Sequence, residues 1–129
     1  MLFRSRDRVE RAWGVRMGWI LNIPRDQPRK ADDVIRWASG TPAKKGHVVG
    51  VGLYGRENAQ AIEEFERAFH TIQKKGLARI VQVGDIFAGE EVLEAIQRLQ
   101  PDRVIGGWGT ADAPDVMNLL RENHIALDI

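Results

Sequence analysis

The sequence predicts an α/β domain built on a parallel sheet of about five βα units. Short β-branched runs alternate with longer amphipathic stretches along the whole chain. Glycine recurs immediately after several of the β-branched runs. The length, 129 residues, suits one layered domain over 1–129 rather than two. Alternation of this kind implies parallel strands joined by right-handed helical crossovers.

The elements follow in order. Residues 5–13 carry Val9, Ala12 and Trp13 at helical spacing, with Ser5 as the expected N-cap. Residues 15–23 (VRMGWILNI) read as a strand that Pro24 ends. Residues 30–39 place Val34, Trp37 and Ala38 on one helical face. Gly40, Pro42 and Gly46 predict a loop over 40–46. Residues 47–53 (HVVGVGL) are the second strand. The longest amphipathic segment is 58–75, with Ile62, Phe65, Phe69 and Ile72 inward and Gly76 as its C-cap. Residues 78–83 (ARIVQV) are the third strand. A helix over 90–99 turns Val92, Leu93, Ile96 and Leu99 inward. Residues 103–107 are the fourth strand. A helix over 112–123 has Pro114 in its first turn and Met117, Leu119 and Leu120 as its apolar residues. Residues 125–129 (IALDI) are the fifth strand.

Composition removes several function classes. With no cysteine there is no disulfide framework, thiolate metal site or cysteine nucleophile. Nineteen Lys and Arg against 18 Asp and Glu leave a net charge of +1, so bulk charge points to no polyanion. Arg25, Arg29 and Lys30, with Lys44 and Lys45, are too few and too separated for a nucleic-acid footprint. No apolar run approaches the ~20 residues of a spanning helix, so no membrane association is expected. The basic start, Met1 to Arg8, is followed by no apolar stretch, which does not suit a signal peptide; a cytoplasmic protein is expected.

Two architectures share this pattern: a part of a (β/α)8 (TIM) barrel, and an open doubly wound, flavodoxin-like sheet. Both place chemistry at the C-terminal ends of the strands. There stand Pro24 and Arg25, then Gly52 to Glu57, then Gln82 to Asp85, then Gly106 to Thr110, and Asp128. Gly52-Leu53-Tyr54-Gly55 is not a Walker A motif, because no Gly-Lys-Ser/Thr follows. Gly106-Gly107-Trp108-Gly109 lacks dinucleotide-binding spacing, yet can offer backbone N–H groups at the next helix. His47, His70 and His124 are scattered and read as surface or structural. Asp85 and Asp128 are the carboxylates near strand ends, read first as caps or solvated groups and second as an acid or base. Asp102, Asp112 and Asp115 read as caps. Trp13 and Trp37 are expected in the core and Trp19 in a strand. Trp108, among glycines, suits stacking on a base or filling a pocket.

The strand ends resemble those of adenosine deaminases. Val49-Gly50-Val51-Gly52-Leu53-Tyr54-Gly55-Arg56-Glu57 resembles that family's V-G-x-D-L-x-G-x-E. Val81-Gln82-Val83-Gly84-Asp85 stands where the family has V-H-A-G-E, and Arg103-Val104-Ile105-Gly106-Gly107 where it has R-I-G-H-G. Phe65, Ala68, Phe69, Gly76 and Leu77, then Glu90, Val92 and Ala95, fit the intervening helices. Pro114 and Ile125 to Asp128 fit the segment before the family's C-P-x-S-N stretch, and Trp13 to Arg16 fits the approach to its third strand. The resemblance covers almost the whole chain. It implies strands three to seven of a deaminase barrel.

It also implies what this chain replaces. The family's zinc is held by two histidines on the first strand, one on the fifth and an aspartate on the eighth. The first and eighth strands have no counterpart here, and the fifth-strand histidine position holds Gln82, a neutral amide and a poor zinc ligand. The general acid/base position holds Asp85, one methylene shorter than glutamate, and this is the catalytic candidate. The histidine that orients the attacking hydroxide falls on Gly107 and the strand-four aspartate on Gly52. Gly55, whose backbone approaches the purine in the family, is retained.

The expectation is a partial, degenerate deaminase-like protein with no metal or other cofactor and no independent zinc hydrolysis. It keeps purine nucleoside or nucleotide binding at Gly55, Gln82, Asp85, Gly107 and Trp108. One alternative is a non-catalytic scaffold that assembles through an open sheet face; another is a deaminase completed by a second chain. Five consecutive barrel strands leave one sheet face and two edges open. A symmetric homodimer is the preferred remedy. The others are rearrangement into a doubly wound sheet, or an origin as an engineered or truncated piece.

Overall fold

A computed structural model describes residues 2–86 and 88–129. Helix α1 (Leu2–Trp13) leads into strand β1 (Trp19–Pro24). Helices α2 (Ala31–Ser39) and α3 (Thr41–Lys45) precede β2 (Val48–Tyr54). Helix α4 (Glu66–Lys74) precedes β3 (Ala78–Val83), and α5 (Ala88–Leu99) precedes β4 (Arg103–Gly106). Helix α6 (Pro114–Glu122) precedes β5 (Ala126–Asp128).

The sheet has the order β1-β2-β3-β4-β5, and every neighbouring pair is parallel. A doubly wound sheet must reverse its strand order to place helices on both faces. Sequential order without reversal is barrel order, so the flavodoxin-like alternative is set aside. Ile23, Leu53, Val81, Val104 and Leu127 form one cross-strand row. The first four of these are fully buried against Val34, Ile35, Phe65, Phe69, Ile72, Val92, Ala95 and Leu120 from the helical layer. Each such aliphatic side chain contributes roughly 1.5–3 kcal/mol by leaving water.

The adjacent row, Asn22, Gly52, Ile80 and Arg103, looks to the other face. Ile20 on this face is 43% exposed. Register slips between Trp19↔Val48 and Ile20↔Gly50, so Val49 is an extra residue in β2 and is exposed.

Several local expectations are corrected. Strand β1 begins at Trp19, not at residue 15. Gly14 takes a left-handed φ of 65°, and the Met17 N–H donates to Glu10 Oε1 (2.8 Å), which ties this link to α1 instead of the sheet. Ser5 lies inside α1 and is not its cap. Residues 41–45 form α3 where a loop was expected, because Pro42 sits in its first turn with φ already set. The long segment begins with a 3₁₀ turn, Ile62–Phe65, before α4. Trp13 and Trp37 are 78% and 60% exposed, outside the core. Met117 is also exposed, because Val116 and Leu120 take the inward face of α6. Trp19 is half-buried in β1 and its indole N–H is buried without a hydrogen-bond partner.

Asp102 is not a helix cap. It accepts the Arg79 backbone N–H (2.8 Å) and its Nε and Nη2 (3.2 and 3.0 Å), pinning the start of β3 to the start of β4. Burial pushes the Asp102 carboxyl up, and the Arg79 hydrogen bonds outweigh it, leaving it below its ordinary 3.8. Asp112 and Asp115 do not cap α6, whose N-cap is Ala113 with no side-chain bond. His47, His70 and His124 are exposed. Among the described residues no helix is long and apolar enough to cross a membrane.

Candidate functional site at the strand C-terminal ends

Glycines shape this end of the sheet. Gly55 has φ +136° and lies against Arg25, where an added Cβ would come 3.2 Å from the Arg25 Cβ. Gly84, with φ +89°, abuts Gly107, with φ +74°, so closely that a Cβ on Gly84 would lie 2.6 Å from the Gly107 Cα. The Gly109 N–H then donates to the Gly84 carbonyl (3.3 Å). The Gly107 carbonyl receives the Thr110 N–H (2.9 Å) and Oγ1 (2.6 Å), closing the 3₁₀ turn Trp108–Asp112. The turns after β3 and β4 are thereby locked together.

On this frame runs a chain of polar groups. The Gly55 N–H donates to Gln82 Oε1 (3.3 Å), and Gln82 Nε2 approaches Asp85 Oδ2 (3.5 Å). The backbone N–H groups of Asp85 and Ile86 donate to Glu57 Oε1 (2.7 Å) and Oε2 (3.1 Å). Asp85 is exposed and Gln82 half-buried. Trp108 is 66% exposed at the same end of the sheet. The structure thus joins Gly55, Gln82 and Asp85, and sets Gly107 and Trp108 on the neighbouring strand end. Asp128 is instead engaged by Arg103.

Behind the exposed chain lies a buried ionic group. Arg25 is only 1% exposed; its Nε donates to the Gln60 carbonyl (3.1 Å) and its Nη2 to Glu91 Oε1. Glu57 is buried beside it. Burial pushes the Glu91 carboxyl above its ordinary 4.5; Arg25 opposes this by hydrogen bond and charge, and Glu57, in hydrogen-bond reach, adds to it. A cleft of about 500 Å³ adjoins the group, lined by Arg25, Glu57, Glu90, Glu91 and Glu94 among others. Sequence reasoning missed Arg25, Glu57 and Glu91 as a unit. The available signal was position: charged residues immediately following buried strands are held by partners or they unfold the strand end.

The residues present do not fit a zinc ion. The Gln82 amide is spent on Gly55 and Asp85, and an amide binds zinc poorly. Among the described residues, no group of three or more His, Cys, Asp or Glu is placed to hold a metal.

Comparison with known proteins follows the same outline. The adenosine deaminase family model matches residues 1–129. An adenosine deaminase of Vibrio parahaemolyticus is 33% identical over 86 residues, covering 67% of this chain and 26% of its own length. An aminodeoxyfutalosine deaminase of Streptomyces avermitilis is 25% identical over 126 residues, covering 97% of this chain and 35% of its own. A crystal structure of an amidohydrolase from Burkholderia ambifaria, with bound Zn, superposes with a TM-score of 0.85 at 26% identity, over 95% of this chain and 34% of that one. The chain therefore spans between 26% and 35% of the length of these relatives. Five sequential parallel strands, the glycine-shaped strand ends and a family match from end to end agree: the chain belongs to the adenosine deaminase family, as part of an amidohydrolase barrel.

Proposed function

We propose that this chain recognises a purine nucleoside or nucleotide at the strand C-terminal ends and does not by itself hydrolyse it through zinc. The observation that carries this reading is the chain from the Gly55 N–H through Gln82 to Asp85. A purine edge presents a ring nitrogen acceptor beside an exocyclic amine or oxygen. The Gly55 N–H holds the Gln82 amide, whose second Nε2–H supplies a donor, the Asp85 carboxylate accepts, and exposed Trp108 offers a face for stacking. Gln82, a poor ligand in place of an imidazole, would not hold a metal that could activate water.

Calorimetric titration of adenosine into the metal-free protein tests the reading. Saturable binding that Asp85→Asn and Gln82→Ala each weaken about tenfold or more is expected, from loss of one charged or amide contact. Wild-type affinity in both variants, or no saturable binding by the unaltered protein, would contradict it.

A second reading has its own observation. Ile20, Val49 and Tyr54 are exposed, and β1 and β5 are the sheet's outer strands. Such a face and such edges favour association, here as a symmetric homodimer or with a complementary chain that completes a barrel. Light scattering at micromolar concentration would give about twice 14.6 kDa for the homodimer. A monomeric mass would count against it.

A further inference from the structure

We infer that Glu57 is the positioning residue for Asp85: its carboxylate holds the backbone that aims Asp85 at the proposed ligand, and Arg25 with Glu91 holds Glu57 in place from behind. The inference deepens the purine reading and rests on it only for the ligand. The Gly84–Gly107 contact locks the start of the loop after β3, and the next two residues are held differently. Asp85 and Ile86 are both exposed, and their side chains are not packed in the core. Yet both backbone N–H groups converge on one buried carboxylate, at 2.7 and 3.1 Å. Consecutive amides on a single carboxylate fix the peptide plane as well as its distance.

The Glu57 carboxylate is buried and in hydrogen-bond reach of Glu91. Glu57 lies 28 residues before Asp85, at the end of a different strand, so its grip crosses from the β2 turn to the β3 turn. Arg25, at the end of β1, is 1% exposed and bonds the Gln60 carbonyl in the same turn that carries Glu57. It also bonds Glu91 in α5, which follows the Asp85 loop. Three successive strand ends and one helix are tied through these side chains. Asp85 is thereby presented next to Gln82 although its own carboxylate is exposed. A methylene-shortened acid at this position needs an aimed backbone more than a longer one does, because it has less reach of its own.

Amide proton NMR on the full chain tests this without any ligand. In the wild type, the Asp85 and Ile86 amides should exchange on the order of 100-fold slower than unprotected amides, despite their exposure. They should also resonate downfield, as donors to a charged acceptor. Unprotected exchange in the wild type would overturn the inference on its own, whatever any variant does. Glu57→Gln keeps length but loses one acceptor; it should shift both resonances upfield and speed their exchange about tenfold or more. Glu91→Ala removes the acceptor of the Arg25 bond and should shift both resonances in the same direction as Glu57→Gln; unchanged resonances would remove Glu91 from the hold on Glu57. If Glu57→Gln leaves the two amides unchanged, Glu57 does not position the loop. Adenosine titration separates the two ideas. Altered amides with no adenosine binding in the wild type would refute the purine reading and leave the positioning role standing. Wild-type binding that Glu57→Gln leaves intact, despite altered amides, would refute the role of Glu57 in aiming Asp85.

Discussion

Gly84 and Gly107 meet backbone to backbone: a Cβ on Gly84 would lie 2.6 Å from the Gly107 Cα and 2.7 Å from a Val92 methyl. Both residues have positive φ, so neither position is spared by a small shift. Gly84→Ala should therefore cost about 2–4 kcal/mol, combining left-handed strain with overpacking. Gly76 has φ +71° but nothing within 4 Å of an added Cβ. Gly76→Ala should cost only about 1 kcal/mol. Urea denaturation of the two variants checks the contrast; equal losses would mean that strain alone, not the contact, sets the cost.

Arg25 is the buried positive charge among buried carboxyl groups. Arg25→Ala should destabilise by about 3–5 kcal/mol, since it leaves the largely buried Glu91 carboxyl, beside buried Glu57, without its ion-pair partner. Thermal unfolding measures it, and a loss below about 1 kcal/mol would mean that water replaces the guanidinium.

Glu91 gives a pH dependence with a definite sign. Its folded-state carboxyl is raised above 4.5, chiefly by burial, so the folded chain keeps a proton that the unfolded chain releases. This contribution to stability is complete below pH 4.5 and is lost as pH rises through the higher folded value. Glu91→Gln should flatten the stability profile above pH 4.5. An unaltered slope in that variant would assign the dependence to another group.

Asp102 has the opposite sign. Burial raises it, the Arg79 bonds lower it by more, and the net value lies below 3.8. Its contribution is present above pH 3.8 and is lost as pH falls through the lower folded value. Half of its side chain is solvent-exposed, so screening limits the effect, and Asp102→Ala should cost about 1–2 kcal/mol at neutral pH. In unfolding titrations the variant and the unaltered protein should differ at neutral pH and converge as pH falls through the lower folded value; a constant difference would contradict the assignment.

Trp108 separates binding from stability. At 66% exposure it holds little of the core together, so Trp108→Ala should change stability by no more than about 0.5 kcal/mol. Loss of a stacking face should weaken adenosine by about 1–3 kcal/mol. An unchanged affinity would remove Trp108 from the site.

Element order was legible because β-branched runs and 3.6-residue periodicity survive in the sequence, and β3 occupies the 78–83 that its ARIVQV pattern predicts. Which apolar face has a partner was not legible. Periodicity put Trp37 beside Val34 and Ala38, yet only the latter two are buried. The strand-end grouping of Gly55, Gln82 and Asp85 was readable because parallel strands bring their C-terminal ends together. The Arg25–Glu57–Glu91 group was not, because its members are more than 30 residues apart and nothing local requires them to meet. The hidden start of β1 has a similar cause: Glu10, in another element, takes the Met17 N–H.

The most direct test of the central claim is a thermal-shift panel of adenosine, adenine, inosine, AMP and ATP, each with and without zinc. A ligand at about 100 times its dissociation constant adds about 2.7 kcal/mol and should raise the melting temperature of a domain this size by on the order of 10 °C. Such a shift is expected with at least one purine in the absence of zinc, with no further shift when zinc is added. A shift that appears only with zinc, or none with any purine, would contradict the claim.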